Sequence, residues 1–257
     1  MTFIWLGGCS ASQPVNTPFS FVFMADTAPS NPFDIEAEFL KKAYSSIHKE
    51  GINYLFHGGN SAYGGLSLQG IRIYDLQRHF SANKSYMKSL GIYGYIVPGP
   101  MDLHNNKLKV FQRFSSPSLY QSFNYGPLHV VMLTLFKDME ESLYKKQLLW
   151  LKEDLKSSGF ASTLFVSYDA PDIKSKKKGR IFFKEVLRQA EKCASAIFIS
   201  AAAPIAEKKH QGQLRSLSLP CGGFFPKGYY YRKQTTYYVV DCKGTDCKYR
   251  PVNIHSK

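Results

Sequence analysis

Nowhere in the 257 residues does the chain reach the ~18–20 consecutive apolar residues of a membrane-spanning helix, so none is expected. Acid is scarce as well: 19 Asp and Glu stand against 33 Lys and Arg, a formal charge of +14. The imbalance is lopsided, with ten basic and seven acidic residues up to residue 128 and twenty-three against twelve beyond it. Such a surface disfavours cationic partners and suits anionic ones, although solubility alone is the plainer reading. The P-loop, the G-x-S-x-G elbow, G-x-G-x-x-G and HExxH are all missing, which removes the common nucleotide, hydrolase, dinucleotide and zinc-protease signatures. Aromatic and basic residues do not interleave in the manner of single-strand binders, so nucleic acid is not the expected partner. There is no internal repeat, and the one low-complexity patch is KSKKKGR at 174–180. Apolar and aromatic residues, at 44% and 15%, are ample for a core and exclude disorder.

Cysteine is sparse too, at five residues. Cys242 and Cys247 flank Lys-Gly-Thr-Asp between two strand-like runs, a spacing that can set two Cβ atoms across a hairpin within reach of a disulfide. Free thiols in a cytosolic protein are the rival reading, and zinc is a poor one because no second pair lies nearby. Leu6-Gly7-Gly8-Cys9 resembles a bacterial lipobox, with Cys9 as the acylated residue and Ser-Ala-Ser-Gln-Pro as a polar tether. Only eight residues precede Cys9 and none is basic, whereas a signal wants a basic start and roughly 7–15 apolar residues. A truncated or misplaced start accounts for that; an apolar tail is the alternative. Residues 1–18 are thus read as signal remnant and tether, and 19–257 as a single domain. The lipid reading places the protein on a bacterial envelope membrane, the other in the cytoplasm.

Five short apolar runs each end in a small or polar cluster: 19–26, 52–60, 92–100, 163–169 and 196–202. Continuous apolar strands of this kind are buried on both faces. Between them lie helical patterns. Ile35, Phe39, Ala43 and Ile47 recur every four residues, with Gly51 as the closing C′ residue. Leu143, Leu148, Leu151 and Leu155 form a second stripe, and GRIFFKEVLRQAEKCAS reads as a third helix. The alternation predicts βαβ units and a largely parallel sheet. The last quarter reads instead as antiparallel hairpins.

In open α/β folds, ligands sit beyond the carboxyl ends of the strands. At those ends stand Asp26-Thr27-Ala28, Gly59-Asn60-Ser61-Ala62-Tyr63, Gly99-Pro100-Met101, Val166-Ser167-Tyr168-Asp169 and Ser200-Ala201-Ala202-Ala203. In order and spacing they resemble the D-x-G, GD-x-x-Y, GNH, V-x-x-H and GHxH motifs of purple acid phosphatases, a branch of the calcineurin-like metallophosphoesterases. The segment FNYGPLHVVMLT followed by QLLWLKEDL is similar to that family's central strand pair and helix. The resemblance runs from about residue 19 to at least 204. It implies an α/β fold: a four-layer α/β/β/α sandwich of two mixed sheets flanked by helices.

The same resemblance implies a lost reaction centre. Two metals ~3.5–4 Å apart need a bridging carboxylate, imidazoles and a carboxamide at fixed positions. Asp26 and Tyr63 keep the family's ligand type. The bridging Asp has become Asn60, the Asn ligand Pro100, the adjacent His Met101, and the two final His residues Ala201 and Ala203. Asp169 replaces the fourth-motif His with an oxygen donor. No cofactor is expected beyond at most one weakly bound divalent cation. The favoured expectation is a pseudo-phosphatase that binds an anionic ligand or a protein partner. A single-metal hydrolase using Asp26 and Asp169 is the alternative. Asp26 and Asp169 can equally be turn residues, and Tyr63 a half-buried aromatic. His57, His104 and His129 miss the ligand positions and read as packing or surface residues. Gly58, Gly59 and Gly99 read as bends that a side chain would forbid. Lys174, Lys176, Lys177, Lys178 and Arg180, with Lys208 and Lys209, leave strand ends around the old pocket and form either an anion-binding rim or ordinary solvated loops.

Overall fold

The structure is a computed structural model. It describes residues 18–28, 38–62, 73–102, 108–125, 128–136, 139–157, 162–169, 195–201, 207–211, 214–219, 234–243 and 246–255, with Lys184, Val186 and Arg188. Cys9, Tyr63, Ala203 and the run from Lys174 to Arg180 lie outside the described residues, as do the side chains of Lys208 and Lys209.

Two mixed sheets stack face to face. The first has the order β11 (Asp246–His255), β10 (Gln234–Lys243), β1 (Pro18–Met24), β2 (Tyr54–His57), β3 (Tyr93–Ile96). The second runs β4 (Gln121–Tyr125), β5 (Leu128–Met132), β6 (Ser162–Ser167), β7 (Ser195–Ser200), β9 (Leu214–Ser218), β8 (Glu207–Gln211). The two mixed sheets flanked by helices are those the family resemblance implied, whereas the alternation of elements alone pointed to one largely parallel sheet. In the first, antiparallel β10 and β11 lie beside β1 and the parallel strands run on to the edge at β3; in the second, a parallel centre is flanked by antiparallel β4 beside β5 and β8 beside β9. The antiparallel additions come mainly from the late hairpins, where β10 pairs with β1 from the far end of the sequence.

The core between the sheets gathers alternate residues of facing strands, among them Phe19, Phe21, Phe23, Phe56, Val130, Leu164, Ile197 and Val240. The opposite faces of the same strands bury against helices. Val22, Met24 and Leu55 pack with Tyr44 and Ile47 of α1 (Glu38–Lys49) and Phe80 of α2 (Ile73–Ser89). Val131, Phe165 and Phe198 pack with Leu151 and Leu155 of α4 (Glu141–Ser157) and with Val186, from the region read as a third helix. This burial on both faces is why β1, β6 and β7 read as unbroken apolar runs rather than alternating ones. Gly51 takes φ 71 just after α1, the left-handed conformation expected of a helix-terminating glycine. α2 and α3 (Leu108–Phe114) had no clear apolar period.

Cys242 and Cys247 face each other across β10 and β11 and are joined as a disulfide. Among the described residues no helix is long and apolar enough to cross a membrane.

Candidate functional site

Where β1 and β2 end, Asp26 and Asn60 both adopt left-handed backbone conformations, with φ 52 and 57. Such geometry costs of order 1–3 kcal/mol and persists only where surroundings enforce it; short polar side chains carry it best. The enforcement is visible in two backbone bonds, Asp26 N to Gly59 O at 2.9 Å and Ala28 N to Asn60 O at 2.8 Å. The turn after β2 also touches the turn after β3. A Cβ on Gly59 (φ 116) would lie 2.5 Å from Gly99 N, and one on Gly99 would lie 2.5 Å from Asn60 Oδ1. The glycine bends are thus where two strand-end loops interlock.

Within this frame the polar groups bond to one another. Met101 N donates to Asn60 Oδ1 at 2.8 Å, and Asn60 Nδ2 donates to Asp26 Oδ1 at 2.7 Å. The two contacts fix the amide orientation, because a backbone N–H can only donate and a carboxylate can only accept. Tyr168 adds its hydroxyl to Asp26 Oδ1 at 3.2 Å. Burial, and then the nearby charges of Asp26 and Asp169, raise the Tyr168 phenol above its ordinary range, so it acts as a donor at any physiological pH. Asp169 is half-buried; its N–H bonds Leu135 O at 3.0 Å.

The structure therefore brings Asp26, Asn60 and the Pro100–Met101 turn together, with Tyr168 and Asp169 beside them. Pro100 is exposed and opens a short 3-10 turn, where it offers no side-chain donor atom. Ala201 is 2% exposed and packs in the inter-sheet core, its N–H bonded to Tyr168 O at 2.9 Å. Among the described residues no group of three His, Cys, Asp or Glu could hold a metal ion. Among the described residues, the side chains at this site do not fit a dinuclear centre. A carboxylate at residue 60 would stand against Asp26 and need a cation between the two, whereas the carboxamide supplies its own proton.

Two neighbours carry more of this architecture than the sequence suggested. Asp102 is fully buried beneath the turn. Its Oδ1 accepts from Ala62 N at 2.8 Å and Ser61 Oγ at 3.1 Å, and its Oδ2 from Gly99 N at 2.9 Å. Burial raises its carboxyl to about 7, and these hydrogen bonds oppose the rise. An Asp two residues into a Gly-Pro turn was the available signal, since such residues bond nearby backbone N–H groups. His57, read as a packing residue, is buried and bridges Gly59 N (3.1 Å, to Nδ1) and Thr27 Oγ1 (2.8 Å, to Nε2). Gly59 N makes Nδ1 the acceptor, so Nε2 carries the proton, and burial pushes the imidazole down to about 3. His129 is tied to Asp154 at 2.8 Å, far from this site. A separate groove of about 430 Å³, lined by Gln112, Tyr120, Ser142 and Lys146 among others, shares no residue with it.

At the sequence level no family model and no curated protein matches the chain. Solved structures do. A dimetal phosphatase from Danio rerio is similar over 95% of this chain and 100% of its own, with TM-score 0.61 and 13% identity. GAP50, the anchor in the inner membrane complex of Plasmodium, is similar over 93% and 90%, with TM-score 0.51 and 10% identity. A phosphatase from Mycoplasma pneumoniae is similar over 93% and 94%, with TM-score 0.50 and 10% identity. The chain has the calcineurin-like metallophosphoesterase fold: two mixed sheets flanked by helices. At such low identity the likeness concerns the fold alone.

Proposed function

We propose that this chain is a pseudo-phosphatase of the purple acid phosphatase-like branch, a binding protein in which a hydrogen-bonded network has replaced a dinuclear centre. The observation that carries this reading is Asn60, whose amide donates to Asp26 and whose carbonyl receives Met101 N. A metal bridge and this network cannot share the same atoms, and Ala201 at the last motif supplies no donor in its place. In this reading the strand-end framework outlives the chemistry because its loops are closed by Asn60, Asp102 and the glycines rather than by cations. The partner is an anionic ligand or a protein, with Lys174, Lys176, Lys177, Lys178, Arg180, Lys208 and Lys209 as the attracting rim. Acylated Cys9 holds the protein on a bacterial envelope membrane.

Elemental analysis of protein purified without chelators and loaded with iron, zinc, manganese and magnesium tests the central claim. Less than about a tenth of an equivalent of each metal is expected. Near one equivalent, lost in Asp26→Ala, overturns it in favour of a single-metal hydrolase. Intact-mass analysis of protein extracted from its native membrane tests Cys9 separately: an unmodified Cys9 removes the lipid anchor from the proposal.

A further inference from the structure

The opposite end of the sandwich, where the parallel strands start, differs in character. The two sheets present edge strands there, β3 and β4, and the gap between them is closed by tyrosines. Tyr54 lies 5.5 Å from Tyr93 and 4.0 Å from Tyr125, ring centre to ring centre, while Tyr95 stacks on Phe123 at 3.9 Å. Tyr93 is 62% exposed, one of two large hydrophobic side chains so exposed among the described residues. Tyr125 donates its hydroxyl to Ser20 O at 3.2 Å and meets Phe19 edge-on at 6.1 Å, which puts the start of β1 beside the cluster.

Topology delivers positive charge to the same end. α1 and α2 run back from the strand ends, so their last turns, with Lys49 and Lys88, sit where β2 and β3 begin. Tyr93 N bonds Asn53 O at 2.7 Å, which ties those two turns around the exposed ring. Lys243 is the register partner of Pro18 on one side and of Asp246 on the other, and Lys248 on β11 is the register partner of Asp241. All four lysines are exposed, and none forms an ion pair among the described residues. The carboxylates at this end are engaged: Glu50 with Arg250 at 2.8 Å, Asp246 with Arg215 at 3.8 Å, Glu153 with Lys156 at 2.6 Å. Asp241 accepts from Ser20 Oγ. Basic last turns also complement the helix dipole, and Lys243 and Lys248 face Asp246 and Asp241 across the β10–β11 hairpin, so the exposed charge that the docking face adds is chiefly that of Lys49 and Lys88 beside Tyr93.

We infer that this tyrosine-and-lysine end docks on an anionic lipid bilayer. Tyrosine favours the headgroup layer, where its ring is half-solvated and its hydroxyl wet, and lysines supply the attraction to anionic headgroups. β1 begins with Pro18 at this same end. Cys9 is nine positions upstream of it, a reach of at most ~30 Å, so an anchor there would present this face and not the former metal site. The orientation rests on the membrane reading above, but the docking chemistry does not need the acyl group.

The test uses the full chain with Cys9→Ser, which cannot be acylated, sedimented with phosphatidylcholine vesicles with and without phosphatidylglycerol. Binding is expected only with phosphatidylglycerol, and raised salt should release it. Neutralising Lys49 and Lys88 together to Gln should weaken binding roughly twenty-fivefold, at about fivefold per lysine, and Tyr93→Ala should weaken it several-fold. Thermal midpoints lowered by no more than a few degrees confirm that these variants fold. Equal binding to neutral vesicles, no binding at low salt, or stronger capture by an oligonucleotide each overturns the inference. So does loss of binding when Lys176, Lys177 and Lys178 are neutralised but not when Lys49 and Lys88 are. Because this protein carries no lipid, failure here is distinct from failure of Cys9 acylation.

Discussion

At the end where the parallel strands finish, polar groups bond to one another across the strand-end turns; at the end where they start, the Tyr93 ring and lysine side chains lie exposed. Asp26, Asn60, Met101 N and Tyr168 are linked in a chain of donors and acceptors, with Asp102 holding the adjoining loops. Tyr93, Lys49 and Lys88 instead present their tips to solvent. The contrast separates two uses of residue identity. Inward residues are fixed by geometry and neighbours, so substitution there acts on folding. Outward residues are fixed by little in the fold, so substitution there acts on association.

The sharpest way to break this contrast is at the interlocked turns. Gly59→Ala places a methyl 2.5 Å from Gly99 N at φ 116. Since neither backbone can yield alone, a loss of about 4 kcal/mol is expected in the urea unfolding free energy. Gly51→Ala is the control: its φ of 71 is also left-handed, but nothing lies within 4 Å of the added Cβ. Only the conformational cost of about 1–2 kcal/mol should appear. Equal losses would mean that the turns do not interlock.

Asn60→Asp comes next, at about 3 kcal/mol, because it sets two carboxylates against each other and removes the amide donor. Stability should return as pH falls and one carboxyl takes a proton. It should also return with added manganese or zinc if a metal ion can then bridge the two carboxylates. The midpoint of the parent chain should ignore those ions, and a rise with them would argue against the network as a metal substitute. Asp102→Asn should cost about 2 kcal/mol, since an amide must turn one N–H toward a backbone donor. It should also change the pH profile. The folded-state value of about 7 stands above the ordinary 3.8, so the folded protein binds more protons between them. Its contribution is complete below 3.8 and declines as pH rises through 7. The parent should lose stability over that window, and the variant should lose less.

Sequence pattern carried the buried strands because burial on both faces makes them unbroken apolar runs, as in β6, and it carried the strand-end positions because glycine marks the bends. It did not carry α2, whose inward residues Leu76, Phe80 and Met87 alternate with buried His79 and Asn83 and so blur the apolar stripe. Asn83 is buried because its amide bonds Ser61 O at 3.1 Å and its Oδ1 receives the Tyr44 hydroxyl at 2.9 Å; such satisfaction depends on distant partners that no local window contains. Asp102 escaped for the same reason. The strand-end places of residues 60, 100 and 201 were legible, but the bond from Asn60 to Asp26 joins residues 34 positions apart and is a property of the folded turn.

The smallest expected effect probes the outward end. Lys88→Glu sits in the last turn of α2, where a cation offsets the partial negative charge of the helix terminus, so reversal should cost about 0.5–1 kcal/mol and Lys88→Gln roughly half. Neither should alter the slope of unfolding with urea, because Lys88 is exposed and buries no surface. Added salt should shrink the difference between the two variants, since the interaction is with a solvent-exposed terminus. A loss as large as that of Asp102→Asn would mean that Lys88 is held by the fold and that the two ends of the sandwich are built alike. A loss this small leaves the position free to be set by what the protein meets outside itself.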